Sequence, residues 1–200
     1  MYQLYLMLCF FCMTGQIFSQ GFQISDYDFI GRYSNEWDKC DVRIKKNQQD
    51  QMSLLIEIYP YKEQIDNCAY LIISPEYVDT FISNVANAFK KYEKLLAIEH
   101  HSPMRNYSEQ LKLIPCKANL IYKPHEVDFA YKKNVDLLFS LKIKEPHNLY
   151  LYIEVDDSFY EKTKLIWLSN YIGIRLDVKA LPKFAAILDK DRIDKYRRKN

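Results

Sequence analysis

The sequence predicts an α+β fold: an antiparallel β-sheet, one long amphipathic helix packed across it, and a short C-terminal helix. Three observations predict it. Apolar residues alternate with polar ones in several short segments, one mid-chain stretch carries apolar residues at three- and four-residue steps, and turn-forming residues separate them. With 200 residues, 48% hydrophobic and 27% charged, the chain holds material for one sizeable core.

The N-terminus reads as a signal peptide. Leu4, Tyr5, Leu6, Met7, Leu8, Cys9, Phe10, Phe11, Cys12 and Met13 run without polar interruption, and the first charged residue is Asp26. The run is shorter than the ~20 apolar residues a spanning helix needs, and Gly15, Gln16, Ser19 and Gln20 end it. Cleavage after Ser19 divides the chain into a signal, residues 1–19, and one α+β domain, residues 20–200. No Lys or Arg precedes the run, so a buried N-terminal helix or strand is the competing reading. Cys9 and Cys12 follow Leu8 and Phe11 rather than small residues, which gives a lipid-modified cysteine no support. The expectation is an exported protein of the periplasm, cell surface or extracellular space, with no membrane span once the signal is removed.

Early strands follow. Val42 and Ile44 alternate with Asp41, Arg43 and Lys45, Met52, Leu54, Ile56 and Ile58 form a second set, and Ala69, Leu71 and Ile73 a third. Residues 47–50 and 62–67 are the turns between them. Ser74, Pro75 and Glu76 then start a helix with a cap, a favourable first residue and a charge that suits the dipole. Val78, Phe81, Ile82, Val85, Phe89, Tyr92 and Leu96 share one face of it, to about Ile98.

Residues 113–122 suggest a strand that Pro115 pushes towards a sheet edge. The clearest hairpin is next: Val135, Leu137, Phe139, Leu141 and Ile143 must face the same core as Leu149, Leu151, Ile153 and Val155, which sets Ile143 opposite Leu149. Residues 164–168 and 171–178 read as two more strands. Leu181, Phe184, Ala185 and Leu188 have helical spacing, with Pro182 blurring the start, and the basic Lys195, Tyr196, Arg197, Arg198 and Lys199 read as a solvated end.

With Phe81, Ala88, Lys91 and Tyr92 on the long helix, and Ile166, Trp167 and Leu168 before the closing segment, the order of features resembles uncharacterised small exported proteins of Bacteroidetes. Leu95 or Leu96 stands where those proteins carry Trp. The resemblance implies export and this architecture, and it brings no activity and no functional residues.

Several chemistries drop out. Residues 20–200 hold only Gly21, Gly31 and Gly173, which build neither a phosphate-cradling loop nor a nucleophile elbow. A net charge of +2 gives no reason to expect nucleic acid, and no cofactor is expected. Cys40, Cys68 and Cys116 are too far apart in sequence for a zinc site, and either one disulfide or three buried thiols is open. His100, His101, His125 and His147 form no metal-binding pair.

Two sets of candidates remain. Glu154 and Asp156 lie two apart on one strand face and, with His125, are the candidates for a hydrolase or metal-dependent enzyme, since paired carboxylates can divide acid and base roles. Opposed Lys142 and Lys144 favour reading them as a charged outer face. Among 17 tyrosines, Tyr59, Tyr150 and Tyr152 fall on the non-core face of their strands and suit contact with a protein, peptide or glycan. The leading expectation is a non-enzymatic binding protein acting through one sheet face or an edge. A cavity lined by Val85, Phe89 and Tyr92 between helix and sheet is a third possibility.

Overall fold

The computed structural model describes residues 23–34, 39–59, 68–101, 107–123, 131–145, 148–155, 173–177 and 179–198. Nine strands are seen among them: β1 (Asp28–Ser34), β2 (Lys39–Lys46), β3 (Met52–Tyr59), β4 (Cys68–Ile73), β5 (Ser108–Gln110), β6 (Lys117–Lys123), β7 (Tyr131–Glu145), β8 (Asn148–Val155) and β9 (Gly173–Leu176). All pairings are antiparallel, in the order β1-β2-β3-β4-β6-β7-β8-β9, with β5 also on β7. The long helix α1 (Pro75–His101) separates two four-stranded meanders, and α2 (Ala180–Ile187) and α3 (Lys190–Arg198) follow the second. The expected α+β architecture is therefore the observed one.

The alternation read in the sequence sets the inner face. Cys40, Val42 and Ile44, then Leu54, Ile56 and Ile58, then Phe139, Leu141 and Ile143 against Leu149, Leu151 and Ile153, are all buried in one core. Ile143 pairs with Leu149 as the parity argument requires. Helix α1 presents Val78, Phe81, Val85, Ala88 and Tyr92 to that core, and at ~1.5 Å per residue its 27 residues run about 40 Å. Val85 and Tyr92 are each 1% exposed, and the Tyr92 hydroxyl donates to the Leu149 carbonyl at 2.9 Å, so both belong to the packed core where the third reading placed an apolar-ligand cavity. Ser74 donates to Glu76 Oε1 at the helix start, and the β2–β3 turn is held by Asn47 Oδ1, which accepts from the N–H groups of Gln49 and Gln51.

The ends of the sheet are drawn together. The Tyr33 hydroxyl of β1 donates to the Arg175 carbonyl of β9 at 2.8 Å, and α2 packs on β1, β9 and α1 at once. Phe184 meets Tyr33 edge-on at 6.4 Å, and Arg192 of α3 donates to the Ile30 carbonyl on β1. One backbone carbonyl on each end strand, Ile30 on β1 and Arg175 on β9, is thus taken up by a side chain, a contact of the kind that blunts edge-to-edge pairing.

Two sequence expectations are corrected, and one strand was missed. Strand β6 starts after Pro115, at Lys117, and lies in mid-sheet between β4 and β7 rather than at an edge, since a ladder interior has no place for a residue without an N–H. Residues 190–198 form a helix whose Ile193 is buried and whose Tyr196 packs on the core, so the basic end is anchored through them. Strand β1 went unread because a bulge between Phe29 and Gly31 sets its buried residues Ile30 and Tyr33 three apart, breaking the alternation. The signal segment, the turn at 62–67 and the strand expected at 164–168 lie outside the described residues.

Candidate functional site

The outer face of β7, β8 and β9 carries the candidates the sequence pointed to. By register Ser140 faces Tyr152, Lys142 faces Tyr150, Leu138 faces Glu154, and Arg175 faces Tyr152 from the other side. The Lys142 side chain crosses the Tyr152 ring, its Nζ 4.7 Å from the centroid, and donates to Glu154 Oε2 at 2.9 Å. Arg175 lies with Cζ 5.4 Å from the centre of the Tyr150 ring, and the two tyrosine rings meet at 6.2 Å and 64°. Two cations thus interleave with two aromatic rings, an arrangement in which ring faces attract positive charge and shield it from water.

Burial divides the two tyrosines. Tyr152 is 6% exposed, which corrects the expectation that both rings stand on an open face, while Tyr150 is half-buried. Burial pushes the Tyr152 phenol up, opposed by Arg175 and Lys142, so it stays a neutral hydrogen-bonding group at neutral pH. Beside it Ser140 Oγ is buried with no hydrogen-bond partner. Tyr59 occupies the last position of β3, opposite Lys39, and its side chain is outside the described residues.

Of the enzymatic candidates, Glu154 alone lies among the described residues. Glu154 is engaged by Lys142 in a mostly buried ion pair, the outer-face pairing that the opposed lysine suggested, and Asp156 and His125 are outside the described residues, as is His147. His100 and His101 lie in the last turn of α1, with side chains outside them. Among the described residues no three His, Cys, Asp or Glu side chains gather as a metal site would require. Cys40 and Cys116 are buried, and neither is in a disulfide. Every pairing of Cys40, Cys68 and Cys116 needs one of those two, so no disulfide joins the three. Burial raises the Cys116 thiol to about 12, which leaves it protonated and inert.

The other meander carries a charged group that sequence reasoning missed. Asp41 and Glu57 are cross-strand partners, 1% and 6% exposed. Arg32 grips Asp41 through two hydrogen bonds of 2.5 and 2.7 Å, whereas Arg43 Nε stands 3.5 Å from Glu57 Oε2 without a hydrogen bond. Both guanidinium groups lie near the ring of the exposed Phe29, at 6.0 and 5.6 Å. The polar half of the β2 and β3 alternation held the signal, since opposite charges there fall on neighbouring outer positions. Next to this group Leu55, Tyr70 and Ile121 form a second, smaller apolar cluster on the outer face, against which Ile24 and Tyr27 pack.

Comparison of the chain with protein-family models, with curated proteins and with solved structures finds no match in any of the three.

Proposed function

We propose that the protein is exported and acts without catalysis, by binding a protein or peptide partner through the outer face of β7, β8 and β9. The observation that carries this reading is the half-buried Tyr150 ring held between Arg175 and Tyr152. Tyrosine and arginine are the side chains that most often dominate binding energy at protein interfaces, because a ring already fixed by its neighbours loses little entropy on contact. The side-chain bonds to the Ile30 and Arg175 carbonyls on the end strands favour the face over strand addition. A glycan laid on the Tyr150 ring is the alternative ligand.

The test is a selection of displayed peptides against the wild-type protein, in parallel with a glycan array. Peptides that bind wild type and lose roughly tenfold or more affinity to Tyr150→Ala support the reading, since truncated anchors cost on the order of 2 kcal/mol. Because the ring is only half-buried, the variant should keep its fold, checked by thermal unfolding. Binders indifferent to Tyr150→Ala and Arg175→Ala would place recognition elsewhere, and signal on the glycan array alone would replace the partner class.

A further inference from the structure

Between β6 and β5 the chain leaves its neighbour strand and returns. Leu137 N–H donates to the Cys116 carbonyl and Leu111 N–H to the Phe139 carbonyl, so residues 112–115 form an excursion opposite Leu138 alone. The excursion is held from behind by α1 at seven-residue intervals, which place three groups along one line of a helix. The Tyr77 carbonyl receives a long contact from Cys116 Sγ, Asn84 Nδ2 donates to the Ile114 carbonyl at 2.7 Å, and Lys91 donates to Glu109. Tied to α1 on one side and to β7 on the other, it leaves a half-open cavity of about 520 Å³, within the range small-ligand sites occupy.

The walls of that cavity are chemically uneven. Leu111, Leu137 and Phe139 are buried, Leu113 and Leu138 are half-buried, and Ile114 is 60% exposed, so apolar side chains stand beside polar ones in the wall. At the rim Asp136 has Lys117 directly across the strands. Lys112 also lines the cavity and has no ion-pair partner among the described residues. We infer that this cavity binds a small aliphatic carboxylate, its chain against Leu111, Leu113 and Leu138 and its carboxylate at Lys112. The site lies on the opposite edge of β7 from β8 and does not depend on the Tyr150 face.

Octanoate and the neutral 1-octanol are the probes, titrated into the 15N-labelled protein and followed by amide NMR. Octanoate should shift residues 110–116 and 136–139 saturably. Lys112→Glu, an exposed substitution, should weaken octanoate about five- to tenfold while leaving octanol nearly unchanged. Leu138→Trp should fill the cavity and abolish both, with Leu113→Trp as the second filling variant where the first does not fold. Shifts confined to other residues, binding that survives filling, or acid and alcohol losing equally to Lys112→Glu would each overturn the assignment.

Discussion

Glu109 sits where α1 and β5 meet and accepts from both the Lys91 ammonium and the Tyr107 hydroxyl. Those bonds favour its charged form and hold its carboxyl below the ordinary 4.5, with Lys91 the larger cause. A carboxylate depressed in the folded state stabilises the fold above its unfolded pKa, and that share is lost as pH falls through the lower folded value. Urea unfolding at pH 7, 4.5 and 3 should therefore give a stability difference between wild type and Glu109→Gln that shrinks on acidification. Both partners are partly exposed, so added salt should reduce the difference at pH 7. A gap that stays constant with pH would mean the contact is packing alone. At this scale the sequence showed which residue types lay on the outer face but not their state. Tyr152, Asp41 and Glu57 sit at polar positions of an alternating strand, and alternation reports which side a residue takes, not whether that side is covered. Leu55, Tyr70, Ile72 and Ile121 at the same outer positions were the available sign that it is.

Among the elements, β1 and α2 meet in close contact at Gly31. A Cβ built on Gly31 would stand 2.7 Å from Ile187 Cγ1 and 2.9 Å from its Cδ1, and Ile187 is 5% exposed. Gly31→Ala should therefore cost roughly 1–3 kcal/mol by overpacking. Ile187→Ala makes room for the new methyl, so the double variant should lose less than the sum of the two singles, as residues in contact do. Strict additivity in chemical unfolding would count against this packing. Elements with uninterrupted periodicity, α1 and the β7–β8 hairpin, were legible down to register. Those shaped by contacts distant in sequence were not. The β1 bulge serves Ile187, the displacement of β6 follows from Pro115, and α3 is held by Ile193 and Tyr196 docking on a core that its own charged composition does not announce.

For the molecule as a whole, cysteine chemistry and processing are read in one measurement. Intact mass of the protein recovered outside its native host should begin at Gln20, as cleavage after Ser19 requires. Alkylation of the native protein should leave Cys40 and Cys116 unmodified, because both are buried and burial keeps the Cys116 thiol protonated. In guanidinium, without reductant, both should react. A mass two hydrogens short among these cysteines would contradict the packing of β2 and of the segment before β6. The closure of the sheet has a consequence in time as well. Tyr33 and the Arg175 carbonyl are 142 residues apart in sequence, and joining such distant points is what slows folding. The first strand emerges from the ribosome early and meets its final neighbour only when the last strand and the helix after it have been made. Through most of synthesis the N-terminal meander lacks the groups that seal it, and a transport machinery that needs an unfolded chain would have that interval in which to engage it.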